Sequence, residues 1–131
     1  MVLVDTSVWI RALAGSPPYA PEMGRLLARD EVACHELIYG ELLIGNRGGR
    51  RKFLTVYEHM YHVPTISHPE VVAFVRQRGL HGRGVGWIDI HLLASALVAQ
   101  APLWTADPRF AAMAAELGIA YDPPPKDPPV R

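Results

Sequence analysis

Four carboxylates, Asp5, Glu41, Asp89 and Asp107, stand out in this 131-residue chain because of where they fall. Asp5 directly follows the apolar run Val2-Leu3-Val4, and Asp107 lies just past Leu103-Trp104-Thr105. Both runs read as short buried strands, and an open α/β sheet gathers its ligands beyond the carboxyl ends of its strands. The other two acids are expected on helices. Glu41 would share a face with Leu37 and Ile44, and Asp89 with Leu92, Leu93 and Ala96. These are the spacings of a core-facing stripe. A desolvated carboxylate must be protonated, paired or bound to a cation. No Lys or Arg lies three or four residues from either acid, so no helical ion pair is at hand. If the four acids converge, their repulsion raises some of their pKa values. A hard divalent ion such as Mg²⁺ or Mn²⁺, which prefers carboxylate and water oxygens, relieves it. Such an ion activates water and stabilises charge in phosphodiester hydrolysis. No Ser–His–Asp or Cys–His arrangement is visible. Thr6 and Ser7 read as helix caps or hydrogen-bonding supports of the first acid.

The elements that must position these acids alternate. Strands are expected at 2–4, 31–34, 63–66, 103–105 and 119–121. Helices are expected at 7–14, 21–29, 35–44, 50–61, 69–78, 87–100 and 108–117. Gly15 with Pro17-Pro18 stops the first helix, and Pro21 suits the first turn of the second. Residues 79–86 form a glycine-rich loop. Strands alternating with helices imply a three-layer α/β/α sandwich around a mostly parallel sheet. Residues 1–122 would form this domain. The tail at 123–131, rich in proline, forms neither helix nor sheet and is expected to be an extended or disordered end.

Bulk composition is permissive. Half the residues are hydrophobic and 20% are charged, which fits one folded domain. Lys plus Arg equals Asp plus Glu at 13 each, which argues against broad DNA binding but leaves room for a local basic patch. Cys34 is the single cysteine, so an intramolecular disulfide and a cysteine-rich zinc site are excluded, and it reads as a small buried hydrophobe. No apolar run reaches the ~20 residues that span a bilayer, and Asp5 comes too early for a signal peptide. A cytoplasmic protein is expected.

The motifs together resemble a known family. Val4-Asp5-Thr6-Ser7-Val8-Trp9-Ile10, Tyr39-Gly40-Glu41-Leu42, Gly86-Trp87-Ile88-Asp89-Ile90 and Leu103-Trp104-Thr105-Ala106-Asp107-Pro108-Arg109-Phe110 look like the PIN domain, and specifically the VapC toxins of type II toxin–antitoxin pairs. The match covers about residues 1 to 121. The resemblance implies an Mg²⁺-dependent endoribonuclease that acts on RNA and is inhibited by a cognate VapB-type antitoxin, as a homodimer within a larger complex. By position it makes Asp5, Glu41, Asp89 and Asp107 the metal-binding acids. Asp5 and Asp89 would be direct ligands, with Glu41 and Asp107 acting partly through water. Thr105, with Thr6 or Ser7, would support them.

Other side chains admit two readings. The cluster Arg47, Arg50, Arg51 and Lys52 suits sequence-independent phosphate contact, or is a solvated helix face. Arg83 in the glycine loop would approach an RNA phosphate, or the loop is a linker. Trp9, Trp87 and Trp104 are expected in packing, and His91 as a core or surface histidine. Two other functions remain open. One is a PIN-like nuclease of RNA processing or DNA repair. The other is a non-catalytic binding module with the same fold. A phospho-acceptor receiver domain is disfavoured, because the paired acids it needs near the first strand are missing.

Overall fold

A computed structural model describes residues 1–124. Strand β1 (Val2–Val4) is fully buried and lies at the centre of a parallel sheet. It pairs on one side with β2 (Val32–Ala33) and on the other with β3 (Leu103–Trp104). Two single bridges widen the sheet, Cys34 to His62 beyond β2 and Leu103 to Ala120 beyond β3. The three strands are short because each is apolar throughout and bounded by a polar residue or proline, as buried parallel strands are.

Seven helices among the described residues fill the connections. They are α1 (Thr6–Leu13), α2 (Tyr19–Ala28), α3 (Glu36–Ile44), α4 (Arg51–His59), α5 (His68–Arg78), α6 (Trp87–Ala99) and α7 (Pro108–Glu116). The architecture is an α/β sandwich with a parallel sheet, as expected. One core joins the layers through Leu3, Val4, Ile38, Leu42, Leu92, Leu93, Leu103, Phe110 and Met113, all nearly inaccessible. Each such side chain contributes about 1.5–3 kcal/mol of burial free energy. Cys34 is buried among them, and burial pushes its thiol up to about 12.

The strands expected at 63–66 and 119–121 reduce to the single bridges at His62 and Ala120. Pro64 explains the first, since it offers no N–H to a ladder. The described part of the C-terminal segment, through Pro124, is neither helix nor strand, and the rest of the expected tail lies outside the described residues. Among the described residues no helix is long and apolar enough to cross a membrane.

Candidate active site

Parallel strands leave the sheet at one edge, and the chain ends of β1 and β3 meet there. The Asp5 amide donates to the Trp104 carbonyl at 2.9 Å, which brings the segments after the two strands side by side. Asp5 is only 5% exposed. Its Oδ1 accepts from the Thr6 amide at 2.8 Å, so the residue caps α1 itself, a role expected of Thr6 or Ser7. Its Oδ2 accepts from the Ser7 and Thr105 hydroxyls, both at 2.8 Å. Those hydroxyls in turn accept backbone N–H groups, Ser7 from Ala106 at 3.0 Å and Thr105 from Asp107 at 3.1 Å. The loop that carries Asp107 is thereby tied to Asp5 through two hydroxyls.

Thr6 performs the same service across a longer distance in sequence. Its hydroxyl donates to Glu41 Oε1 at 2.7 Å and brings α3 to the start of α1. The face that carries Glu41 is not the core face expected from its spacing. Ile38 and Leu42 are the buried residues of α3, while Ile44 is 89% exposed and Leu37 half-buried. Glu41 lies on the edge of an open cleft of about 270 Å³ shared with Gly40, Ile44 and Ile88.

Asp89 does lie as its stripe indicates, in the first turn of α6 above the buried Leu92, Leu93 and Ala96. Burial, then the charges of Asp5, Glu41 and Asp107, push its carboxyl up to about 7, and a hydrogen bond from the Gly86 backbone opposes the shift. The charges of three other acids, carried on separate segments, thus reach Asp89. Asp107 also caps α7, its Oδ1 accepting from the Arg109 amide at 2.9 Å and the Phe110 amide at 3.4 Å. One oxygen is thus used by the helix, and the other is not.

Among the described residues no cation pairs with these acids. The ion pairs among the described residues are Arg25–Glu22 and Arg83–Glu116, and neither touches the four. Nor do the acids form a tight cage, since among the described residues no three His, Cys, Asp or Glu side chains form a ready-made ion site. Unshielded carboxylates repel one another and turn to the hydrogen-bond donors nearest them, as Asp5, Glu41 and Asp107 do. A donor set of carboxylates and hydroxyls, with room between them, suits a cation that keeps several of its waters, as Mg²⁺ does. Cysteine is absent from it, so softer metals are not favoured.

The expected basic residues lie on segments other than those that carry the four acids. Arg47 lies between α3 and α4, Arg50 at the N-cap of α4 and Arg51 in its first turn. Arg83 gives its guanidinium to Glu116 in two bonds of 2.7 Å, so it is engaged rather than free in the loop. Trp9 and Trp104 are buried, but Trp87 is 43% exposed, its ring set edgewise against His68 and His91. Two residues near the site escaped sequence reasoning. Arg109 follows Asp107 by two positions, a spacing that signals proximity to the pocket. His35 is fully buried, and its place between strand and helix was the only hint of a capping role.

Comparisons with known proteins identify the family of the chain. The PIN domain family matches residues 2–116. Ribonuclease VapC32 of Mycobacterium tuberculosis strain H37Rv is 44% identical over 121 residues, which cover 92% of this chain and 95% of that protein. The VapC32 ribonuclease of strain CDC 1551 / Oshkosh matches to the same extent. The chain therefore belongs to the PIN-domain family, among its VapC-type members.

Proposed function

We propose that the protein is an endoribonuclease that needs Mg²⁺ or Mn²⁺ and serves as the cytoplasmic toxin of a toxin–antitoxin pair. The observation that carries the reading is that, after burial, Asp5, Glu41 and Asp107 all push the Asp89 carboxyl up, while no cation pairs with any of the four among the described residues. Membership of the VapC-type proteins supports the substrate, and the name of the relative supports ribonuclease chemistry.

In this reading Asp5 and Asp89 hold the cation directly, and Glu41 and Asp107 hold it partly through water. When bound, a hard divalent ion lowers the pKa of a water molecule and stabilises negative charge on phosphoryl oxygens. The chain supplies position. Ser7 and Thr105 fix the Asp5 carboxylate from one side, and the Thr6 amide fixes it from the other. The Thr6 hydroxyl turns Glu41 toward the same space. Arg47, Arg50, Arg51 and Lys52 are the proposed sequence-independent contacts to the RNA backbone. Two of them, Arg51 and Lys52, stand in the first turn of a helix that has no acid there, against the helix dipole. An anionic partner would remove that conflict.

A VapB-type antitoxin and a second copy of the chain are the proposed protein partners. Ile44, Val98, Val56 and Tyr61 are large, apolar and more than half exposed, which is surface that partners cover. The test is cleavage of RNA by the full chain, freed of antitoxin, in Mg²⁺ or Mn²⁺. EDTA should stop it, and Asp5→Asn or Asp89→Asn should abolish it with the fold intact. Cleavage undiminished in both variants would overturn the metal mechanism.

A further inference from the structure

An RNA strand carries a negative charge at every phosphate, and the pocket it must enter is already anionic. Some cation has to receive it. Arg83 is spent on Glu116. Arg11 donates to the Ser7 carbonyl at 2.9 Å and lies over the Tyr19 ring.

Arg109 differs from both. Its side chain is exposed and has no ion pair among the described residues. Its amide donates to Asp107 Oδ1 at 2.9 Å, which fixes the root of the residue at the edge of the pocket. From there the side chain lies flat across Gly84. A Cβ at position 84 would overlap the guanidinium and stand 3.1 Å from the Arg109 Cδ. Gly84 also has φ +77°, a conformation that L side chains rarely adopt. Two residues later Gly86 opens α6, and its backbone bonds the Asp89 carboxyl. One guanidinium therefore reaches from the segment of Asp107 to the loop that leads to Asp89, where a glycine leaves room for it. It forms no ion pair with the four acids among the described residues.

We propose that Arg109 is a phosphate-binding residue, which grips a backbone phosphate of the RNA beside the one cleaved at the carboxylates. The proposal rests on the ribonuclease reading. The planar fork of Arg suits two phosphate oxygens at once, and Gly84 leaves the space that the fork occupies.

The experiment measures binding of a fluorescent single-stranded RNA to the full-length Asp89→Asn protein over a range of NaCl concentrations, with Arg109→Ala, Arg109→Lys and Gly84→Ala added singly. Arg109→Ala should weaken binding about tenfold, as loss of a charge-assisted hydrogen bond does. It should also reduce the salt slope by about 0.7, the value for one phosphate contact on a single strand. Arg109→Lys should restore the slope but not the full affinity. Gly84→Ala should weaken binding with the slope largely kept. With Asp89 intact, Arg109→Ala should raise KM by more than it lowers kcat. Binding and slope unchanged in Arg109→Ala would overturn the proposal, as would a fall in melting temperature and kcat alone, which marks a packing strut. If the unaltered protein cuts no RNA with Mg²⁺ or Mn²⁺, the ribonuclease reading falls first. If it cuts RNA and Arg109→Ala binds normally, only the present proposal falls.

Discussion

Asp89 is where a single side chain tells most about the site. Its carboxyl is pushed up to about 7, chiefly by burial and then by the charges of Asp5, Glu41 and Asp107. An acid whose folded pKa is raised holds its proton more tightly in the folded chain than in the unfolded one. Metal-free protein should therefore lose stability as pH rises through 7 and regain it as pH falls. His35, lowered to about 4 by burial, works in the opposite direction below pH 6.5, where a neutral buried histidine resists protonation. The clean window runs from 6.5, the ordinary histidine value, to about 8, where Asp89 is almost fully ionised. In EDTA, melting temperature should fall across that window. Asp89→Asn should flatten the fall and gain on the order of 1 kcal/mol at the alkaline end, after allowance for solvent screening. That is roughly 3–5 °C for a chain of this size. A wild-type curve that rises through the window would contradict the assignment. Because a cation needs the ionised form, cleavage should decline as pH drops below 7, which a pH–rate profile in Mn²⁺ checks. At this scale the sequence was legible where an acid sat above a truly buried stripe, as Asp89 does. It misled at Glu41, because the neighbours of that residue are apolar yet exposed, and hydrophobicity alone does not say which apolar face is covered. It was silent on the pairing of Arg83 with Glu116, which joins residues 33 positions apart.

Between elements, the two acid-bearing helices are tied by a buried histidine. His35 Nδ1 accepts from the Leu37 amide at 3.0 Å and caps α3, the helix of Glu41. Its Nε2 lies 3.0 Å from the Ser95 hydroxyl of α6, the helix of Asp89, and with Nδ1 accepting, Nε2 carries the proton and donates. Both side chains are fully buried. Ser95→Ala should leave that N–H without a partner and cost about 1–3 kcal/mol, measured by urea unfolding. It should also weaken Mn²⁺ binding, because the two helices would no longer be held in register. Equal stability in both proteins would show the bond to be dispensable. The seven helices among the described residues begin and end within two residues of their expected bounds, and Ser67, Gly79 and Asp107 cap two of them. The strands were less legible. A two-residue strand carries no period, and the difference between β3 and the single bridge at His62 depends on partners far away in the chain.

At the scale of the whole molecule, the α/β order was legible because strands and helices alternate from Val2 onward. Which surface meets a partner was not, because a protein interface has no periodicity in one chain. The exposed Ile44, Val56 and Val98 indicate that the isolated chain leaves apolar area uncovered. Light scattering of the purified chain should give a dimer mass, and co-expression with a VapB-type antitoxin should yield a larger complex that is inactive on RNA. A monomer at all concentrations would remove the dimer from this account. The site itself belongs to this scale too, since residues from position 5 to position 107 meet in one space only after the sheet has formed. Whether that space takes a cation is decided most directly by calorimetric titration of the antitoxin-free protein with Mn²⁺ at pH 8. Saturable binding is expected, lost in Asp5→Asn and in Asp89→Asn and kept in Glu22→Gln, whose carboxylate pairs with Arg25 away from the pocket. No binding in the unaltered protein, or equal binding in all four, would contradict the shared-cation site.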